Sequence, residues 1–133
     1  MSAEDDAYVL GTQSQELERL QLQHSLWRPA AEAAWDRAGL SPGQRVLDLG
    51  AGPGFAAVDL ARRVGPQGQV LALERSETYV AAARAVARQQ NLPQLEVRQH
   101  DLLRDPLPHG PNTEPDGGFD LVWCRWVAMF LPT

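Results

Sequence analysis

The 133-residue sequence predicts an α/β fold built around a parallel sheet. Short apolar runs at 45–49, 69–74, 95–98 and 119–123 have the length of strands, and the first three are separated by helical patterns of about ten residues or more. Strands that alternate with helices in this way form parallel sheets with right-handed crossovers. The run at 45–49 is almost continuously apolar, which is typical of a strand buried on both faces.

Residues 1–40 are predicted to form two helices ahead of the sheet. Arg28-Pro29 is expected to end the first helix, because proline lacks an N–H group and disfavours helical geometry in the preceding residue. Pro29 suits the first turn of a second helix, 29–38, and Gly39 with Leu40 would close that helix. The remaining residues, 41–133, are assigned to the sheet-containing domain.

Turn and cap residues divide the second half of the chain. Ser76 is expected to cap a long alanine-rich helix, and Asn91 to stop it. The segment 104–118 is rich in proline and glycine, so it is predicted to be a surface loop. A helical segment is expected to follow the fourth strand, at 124–131.

Composition and charge exclude several classes of protein. The net charge is −5 and no lysine-rich run is present, so nucleic acid is not an expected partner. The apolar stretches are too short to span a bilayer, and the acidic N-terminus lacks the features of a signal peptide. A single cysteine, Cys124, permits neither an internal disulfide nor a multi-thiolate metal site. A cytoplasmic setting is the resulting expectation.

Three glycines follow the first strand at alternate positions. Gly50, Gly52 and Gly54 predict a tight turn, because glycine takes positive φ values readily and lets a ligand approach the backbone. Helical spacing begins immediately after Gly54. The N-terminus of that helix would face the turn, where its N–H groups favour a negative or electron-rich ligand.

Acidic residues lie at the predicted carboxyl ends of neighbouring strands. Glu74 ends the second strand, 20 residues after Gly54, and this spacing suits a carboxylate that accepts hydrogen bonds from a ribose diol. Asp101 can accept from an exocyclic amine, and Leu102 can cover an aromatic ring. The alternative roles are a solvated strand-end charge for Glu74 and a turn cap for Asp101. Buried Asp48 is expected to bond the turn amides or a ligand amine.

These motifs resemble class I S-adenosylmethionine-dependent methyltransferases. Val46-Leu47-Asp48-Leu49-Gly50-Ala51-Gly52-Pro53-Gly54 matches the first motif of that family, whose G-x-G-x-G spacing differs from the G-x-G-x-x-G of dinucleotide folds. Glu74 falls on the ribose-binding acid and Asp101 on the acid that meets the adenine amino group. Phe119-Asp120-Leu121-Val122 resembles the fourth strand, whose end lies near the methionine moiety. The resemblance implies a Rossmann-like three-layer sandwich with strand order 3-2-1-4.

The flanking segments resemble the ubiquinone/menaquinone-type group that methylates small molecules. Tyr8-Val9-Leu10-Gly11 and the segment 16–23 are similar to leading helices that cover the cofactor, which makes Tyr8, Arg19 and Gln23 candidates for a lid within residues 1–40. Cys124 to Pro132 also resembles this group and lacks the Asn/Asp-Pro-Pro-Tyr/Phe signature of many amino-group methyltransferases. The implied S-adenosylmethionine contacts are Asp48, Gly50, Ala51, Gly52, Gly54, Glu74, Arg75, Asp101, Leu102, Cys124, Arg125, Tyr8 and Gln23. No catalytic base and no metal ligand are assigned.

Only about half of a methyltransferase domain is covered by the resemblance. The family continues through three further strands, so the chain is expected to be a fragment or a truncated form that binds cofactor weakly and is inactive in isolation. The fourth strand would then be an open edge, available for association with another chain. Two other functions remain open: a non-catalytic nucleotide-binding or interaction module, and half of an NAD-type oxidoreductase.

Overall fold

The computed structural model describes the backbone of residues 3–108 and 118–124, and the side chains of 14–108 and 118–124. The chain divides into two compact units, Met1–Ala34 and Trp35–Thr133. Within the described residues, no helix has both the length and the apolar character needed to cross a membrane.

Three helices and four strands make up the described secondary structure. In chain order they are α1 Ala3–Arg37, β1 Arg45–Leu49, α2 Phe55–Val64, β2 Gln69–Glu74, α3 Glu77–Gln89, β3 Leu95–Gln99 and β4 Leu121–Cys124. The strands form one sheet in the order β3-β2-β1-β4, and all three pairings are parallel. This confirms the predicted fold class and strand order.

Strand β1 is one of the two inner strands of the sheet and is buried on both faces, as its apolar sequence predicts. Consecutive residues of a strand point to opposite faces, and Val46 and Leu47 are 0% and 4% exposed respectively. Strand β3 alternates instead, with Leu95 and Val97 buried and Glu96 exposed, which is the pattern of a strand with one covered face. The largest fully buried side chains of the sheet-containing unit are Trp35, Leu60, Leu73, Val46, Val64 and Val70.

Helix α3 begins and ends at the residues that the sequence indicates. The Ser76 hydroxyl accepts a hydrogen bond from the Tyr79 N–H at 3.3 Å, which caps the first turn. At the other end Asn91 has a φ of 54°, and the N–H of Leu92 donates to the carbonyl of Ala87 at 2.9 Å. This is a Schellman cap, in which a left-handed residue after the helix satisfies its last carbonyl groups.

The predicted helix break at Arg28-Pro29 is wrong. Helix α1 is continuous from Ala3 to Arg37 and contains Pro29 in its interior. An interior proline costs about 3 kcal/mol, because one backbone hydrogen bond is lost and the ring crowds the preceding turn. A side-chain hydrogen bond spans the proline, from Arg28 to Glu32 at 3.1 Å. Beyond the proline, the helix carries Trp35, which is 1% exposed.

Trp35 holds the end of α1 within the sheet-containing unit. Its ring meets Trp123 of β4 edge to face at a centroid distance of 5.4 Å, and the Arg63 guanidinium of α2 lies 5.7 Å from the ring centroid. Arg63 also pairs with Asp36. Gly39, with a φ of 78°, then ends the helix in a second Schellman cap, which confirms the predicted stop.

Strand β4 starts two residues later than predicted. Asp120 precedes it, and its backbone N–H donates to the Arg45 carbonyl while its carboxylate accepts from the Arg45 N–H, each at 2.8 Å. These two bonds align β4 with the start of β1. The predicted helix at 124–131 and the middle of the predicted loop at 104–118 lie outside the described residues, apart from Cys124 itself.

Candidate functional site

The glycine turn joins the end of β1 to the start of α2. Gly50, Gly52 and Gly54 have φ values of 68°, 60° and 94°, all in the left-handed region that residues with a side chain rarely adopt. At Gly54 a Cβ atom would also lie 2.8 Å from the Cβ of Ala83 in α3. Glycine at this position therefore lets the first turn of α2 lie against α3.

Space for a ligand lies beside the middle glycine of the turn. A Cβ atom built on Gly52 would meet no other atom within 4 Å, so its backbone is approachable. The turn is also bonded to the neighbouring strand, because the Ala51 N–H donates to the Leu73 carbonyl of β2 at 2.9 Å. Since α2 starts at Phe55, directly after the turn, its N-terminal dipole acts at the same place.

The carboxylate of Glu74 faces the glycine turn, as the spacing predicts. Its Oε1 accepts from the Gly52 N–H at 2.9 Å, and its Oε2 accepts from the Ser76 N–H at 2.7 Å. A carboxylate offers about four lone-pair positions, so two further hydrogen bonds can still be accepted. Glu74 is partly buried, and the two backbone donors hold it in a single orientation. Its contact with a ribose diol stays a prediction.

Asp101 acts as a turn cap in the structure, the alternative that the sequence left open. Its Oδ1 accepts from the Leu103 N–H at 2.9 Å, and its carbonyl accepts from the Asp105 N–H at 2.8 Å. The Asp105 carboxylate in turn accepts from the Asp101 N–H at 2.8 Å. These bonds close residues 101–105 into a compact turn at the carboxyl edge of the sheet. The ion pair of Asp101 Oδ2 with exposed Arg104 spans 3.8 Å, and this oxygen has capacity to accept from an amine.

Other predicted site residues occupy the same edge. Asp48 is 3% exposed and lies in register with Ala72 of β2 and Trp123 of β4. Cys124 is exposed and is paired in register with Leu49, the residue before the glycine turn. The position of these side chains against a cofactor stays a prediction, as it does for half-buried Leu102.

Two further predicted contacts lie next to these strands or on α1. Arg75 is exposed, and its carbonyl accepts from the Gln99 side chain at 3.1 Å. Gln23 is half-buried on α1. On that helix the Arg19 guanidinium donates to Glu16, and this hydrogen bond lowers the pKa of the Glu16 carboxyl. The side chain of Tyr8 and the whole of Arg125 lie outside the described residues.

His100 is a site-adjacent residue whose contact the sequence does not predict. The residue is 8% exposed, and its Nε2 lies 2.9 Å from the carbonyl oxygen of Pro106. The only signal in the sequence is its position beside Asp101, since a backbone carbonyl partner leaves no pattern of residue types.

A protein-family model described as a methyltransferase domain matches residues 40–132. This chain belongs to that methyltransferase family. The match agrees with the resemblance of the glycine turn and strand-end acids to class I S-adenosylmethionine-dependent enzymes. It favours a methyltransferase over an NAD-type oxidoreductase.

Curated relatives of this methyltransferase domain include two O-methyltransferases. Nocamycin O-methyltransferase of Saccharothrix syringae is 34% identical over 106 residues, which cover 80% of this chain and 35% of that protein. Ubiquinone biosynthesis O-methyltransferase of Acinetobacter baumannii is 32% identical over 117 residues, covering 83% of this chain and 46% of that protein. The chain therefore spans less than half of the length of either relative.

Solved structures agree on the fold. The crystal structure of a SAM dependent methyltransferase from Aquifex aeolicus is 33% identical, with a TM-score of 0.54, and the alignment covers 59% of this chain and 42% of that one. A SAM-dependent O-methyltransferase from Thermotoga maritima aligns with a TM-score of 0.60 over 72% of this chain and 34% of that one. At 21% identity, the second likeness concerns the fold alone.

Proposed function

We propose that the chain binds S-adenosylmethionine at the carboxyl edge of its sheet, as part of an enzyme that methylates a small molecule. The observation that carries the proposal is the hydrogen bond between Glu74 and the Gly52 N–H. It brings the glycine turn and the strand-end acid together on one side of the sheet. The family assignment supplies the identity of the cofactor.

The residues present fit the adenosyl group. Glu74 keeps two acceptor positions for the ribose hydroxyls, and the open space at Gly52 admits the ligand to the turn backbone. Asp101 Oδ2 offers an acceptor at the next strand end, where an adenine amine would be recognised. When bound, the cofactor supplies a methyl group already activated on a sulfonium. The chain's own contribution is therefore to orient the ligand and exclude water.

Titration with S-adenosylhomocysteine and with NAD tests the cofactor. We expect S-adenosylhomocysteine to bind the 133-residue chain and NAD not to bind under the same conditions, both measured by isothermal calorimetry. Binding of NAD in preference to S-adenosylhomocysteine would overturn the proposal. We expect weak binding and no turnover by this chain alone, because its relatives are considerably longer. Robust methylation by the pure chain would contradict that expectation.

The proposed acceptor is a small molecule. Support comes from the two O-methyltransferase relatives, whose names refer to nocamycin and to ubiquinone biosynthesis. The net charge of −5 also opposes binding to a nucleic-acid backbone. Thermal denaturation of the S-adenosylhomocysteine complex tests the class of acceptor. Addition of a small phenol or amine is expected to raise the melting temperature of that complex. Stabilisation by RNA oligomers and by none of the small molecules would contradict it.

Residues 1–40 are proposed to cover the bound cofactor, with Tyr8 and Gln23 as contacts. Deletion of residues 1–13 tests this, because loss of a cover should raise the dissociation rate of S-adenosylhomocysteine more than it changes the association rate. An unchanged dissociation rate in the shortened chain would remove Tyr8 from the site.

A second candidate function is association through the edge of β4. Among the described strands β4 pairs only with β1, and Val122 on it is 54% exposed. Exposed apolar edge strands are templates for pairing with another chain. Light scattering after size exclusion tests this: wild type is expected to self-associate and Val122→Lys to stay monomeric. If the chain is monomeric at all concentrations and retains no partner, association through β4 is excluded and methyl transfer remains the proposed function.

A further inference from the structure

Within the described part of the chain, the imidazole of His100 makes a single hydrogen bond. Its Nε2 lies 2.9 Å from the Pro106 carbonyl oxygen, and a carbonyl only accepts, so Nε2 carries the proton. Its Nδ1 is buried and makes no hydrogen bond with any residue that the structure describes. The orientation of the ring is therefore held by its bond to Pro106.

That hydrogen bond closes the chain around Asp101. His100 directly precedes the turn 101–105, and Pro106 directly follows it. Inside the turn, the Asp101 carbonyl accepts from the N–H groups of Arg104 and Asp105, at 3.1 and 2.8 Å. The His100–Pro106 bond ties the two ends of this turn together. We call the segment 100–106, closed in this way, the Asp101 loop.

The Asp101 loop is also joined to the ribose side of the site. The backbone N–H of His100 donates to the Glu74 carbonyl at 2.9 Å, one residue beyond the end of β3. The Glu74 side chain in turn accepts from Gly52 in the glycine turn. His100 is thus bonded to Glu74 through its backbone N–H and to Pro106 of the Asp101 loop through its ring. A shift of the ring would move Asp101 relative to Glu74.

We propose that His100 is a positioning residue, which sets adenine specificity by holding Asp101 and Leu102 at a fixed place beside Glu74. The proposal rests on the proposed function, because it assigns the adenine end of the same cofactor site. His100 does not touch the reacting atoms in this scheme. Its role is to keep the Asp101 carboxylate where an adenine amine can donate to it.

The experiment compares two ligands that differ at one edge of the base. S-adenosylhomocysteine carries the exocyclic amine and an N1 that accepts, whereas S-inosylhomocysteine carries a protonated N1 and a carbonyl oxygen that would face the Asp101 carboxylate unfavourably. Wild type is expected to prefer the first ligand by about tenfold or more, since a site built for a donor rejects an analogue without it. His100→Phe keeps an aromatic ring but cannot donate to Pro106. We expect this variant to bind the two ligands with similar affinity.

A conservative variant separates positioning from packing. His100→Gln retains an N–H group that can reach the Pro106 carbonyl, so it should restore most of the preference for the amine. A purely structural role would lower both affinities together and leave their ratio unchanged. An unchanged ratio in folded His100→Phe, or equal loss in both variants, would overturn the proposal.

Two controls separate this proposal from the proposed function and from misfolding. If wild type binds neither ligand, the proposed function fails; if it binds both and the ratio does not respond to His100, only the positioning role fails. Long-range ¹H–¹⁵N spectra of the wild-type chain report the tautomer without any substitution. We expect a proton on Nε2 of His100, and a proton on Nδ1 alone would contradict the hydrogen bond on which the proposal depends.

Discussion

The side chain of Glu74 accepts a hydrogen bond from the backbone N–H of Gly52 at 2.9 Å, and this bond joins the end of β2 to the turn after β1. Two segments separated by a helix are thereby brought to one point at the carboxyl edge of the sheet. In parallel sheets this edge is where ligands bind. The bond also fixes the carboxylate before any ligand arrives, which lowers the entropic cost of binding.

Glu74→Gln is expected to weaken binding of S-adenosylhomocysteine. The amide has one acceptor oxygen in place of two, so its NH₂ group must face either the Gly52 or the Ser76 N–H. Loss of a hydrogen bond to a charged group costs about 1.5–3 kcal/mol, or roughly ten- to a hundredfold in affinity. Calorimetric titration measures the change. The matched control is Glu96→Gln, an exposed carboxylate on β3 whose replacement should leave affinity unchanged.

The sequence predicts the glycine turn and the place of Glu74 because both depend on local constraints. Positive φ at Gly52 is a property of one residue, and the distance to Glu74 follows from one helix and two strands of ordinary length. The interior position of Pro29 could not be predicted in the same way. The contact of Trp35 with Trp123 could not be predicted either, because these residues lie 88 positions apart in the sequence and adjacent in space.

Asp101 shows a second limit of sequence interpretation. Its residue type fits both a ligand acceptor and a turn cap, and the sequence does not reveal that Oδ1 accepts from the Leu103 N–H while Oδ2 keeps capacity to accept from a ligand. For His100 the sequence gives only its position beside Asp101, because its ring contacts a carbonyl oxygen of a kind that every residue possesses. Hydrogen bonds between side chains and backbone groups can be identified only when the fold is known.

Gly54→Ala is expected to destabilise the domain through both backbone strain and a steric clash. Its φ is 94°, and the added methyl would lie 2.8 Å from the Ala83 Cβ. Strain at a left-handed position costs about 1–3 kcal/mol in the free energy of unfolding, and the clash adds to it. Urea denaturation measures the total.

Gly43→Ala is the control for that substitution. Gly43 has a similar φ of 86°, but a Cβ there would meet no atom within 4 Å, so this variant reports strain alone. The difference between the two free energies of unfolding then measures the contact with Ala83. If both variants lose the same stability, close packing of Gly54 against α3 is not what requires glycine there.

Trp35→Ala is expected to lower the free energy of unfolding by about 3–5 kcal/mol, because a fully buried aromatic side chain is removed. The loss includes the edge-to-face contact with Trp123 and the contact with Arg63. Trp27→Ala is the comparison: this α1 residue is 48% exposed, so the loss should be clearly smaller. Equal losses in chemical denaturation would show that Trp35 does not anchor the end of α1.

Ser76 caps α3 through its hydroxyl and bonds Glu74 through its backbone N–H. Ser76→Ala is expected to affect the cap and leave the cofactor site unchanged. Its hydroxyl accepts from the Tyr79 N–H, whereas its backbone N–H donates to Glu74. Alanine removes the first bond and keeps the second, so stability should fall by about 0.5–2 kcal/mol. Affinity for S-adenosylhomocysteine should stay within about twofold of wild type, a change of less than 0.5 kcal/mol. Chemical denaturation and calorimetry on the same variant measure the two quantities. A large loss of affinity would mean that the Ser76 hydroxyl, and not only its backbone, takes part in holding the ligand.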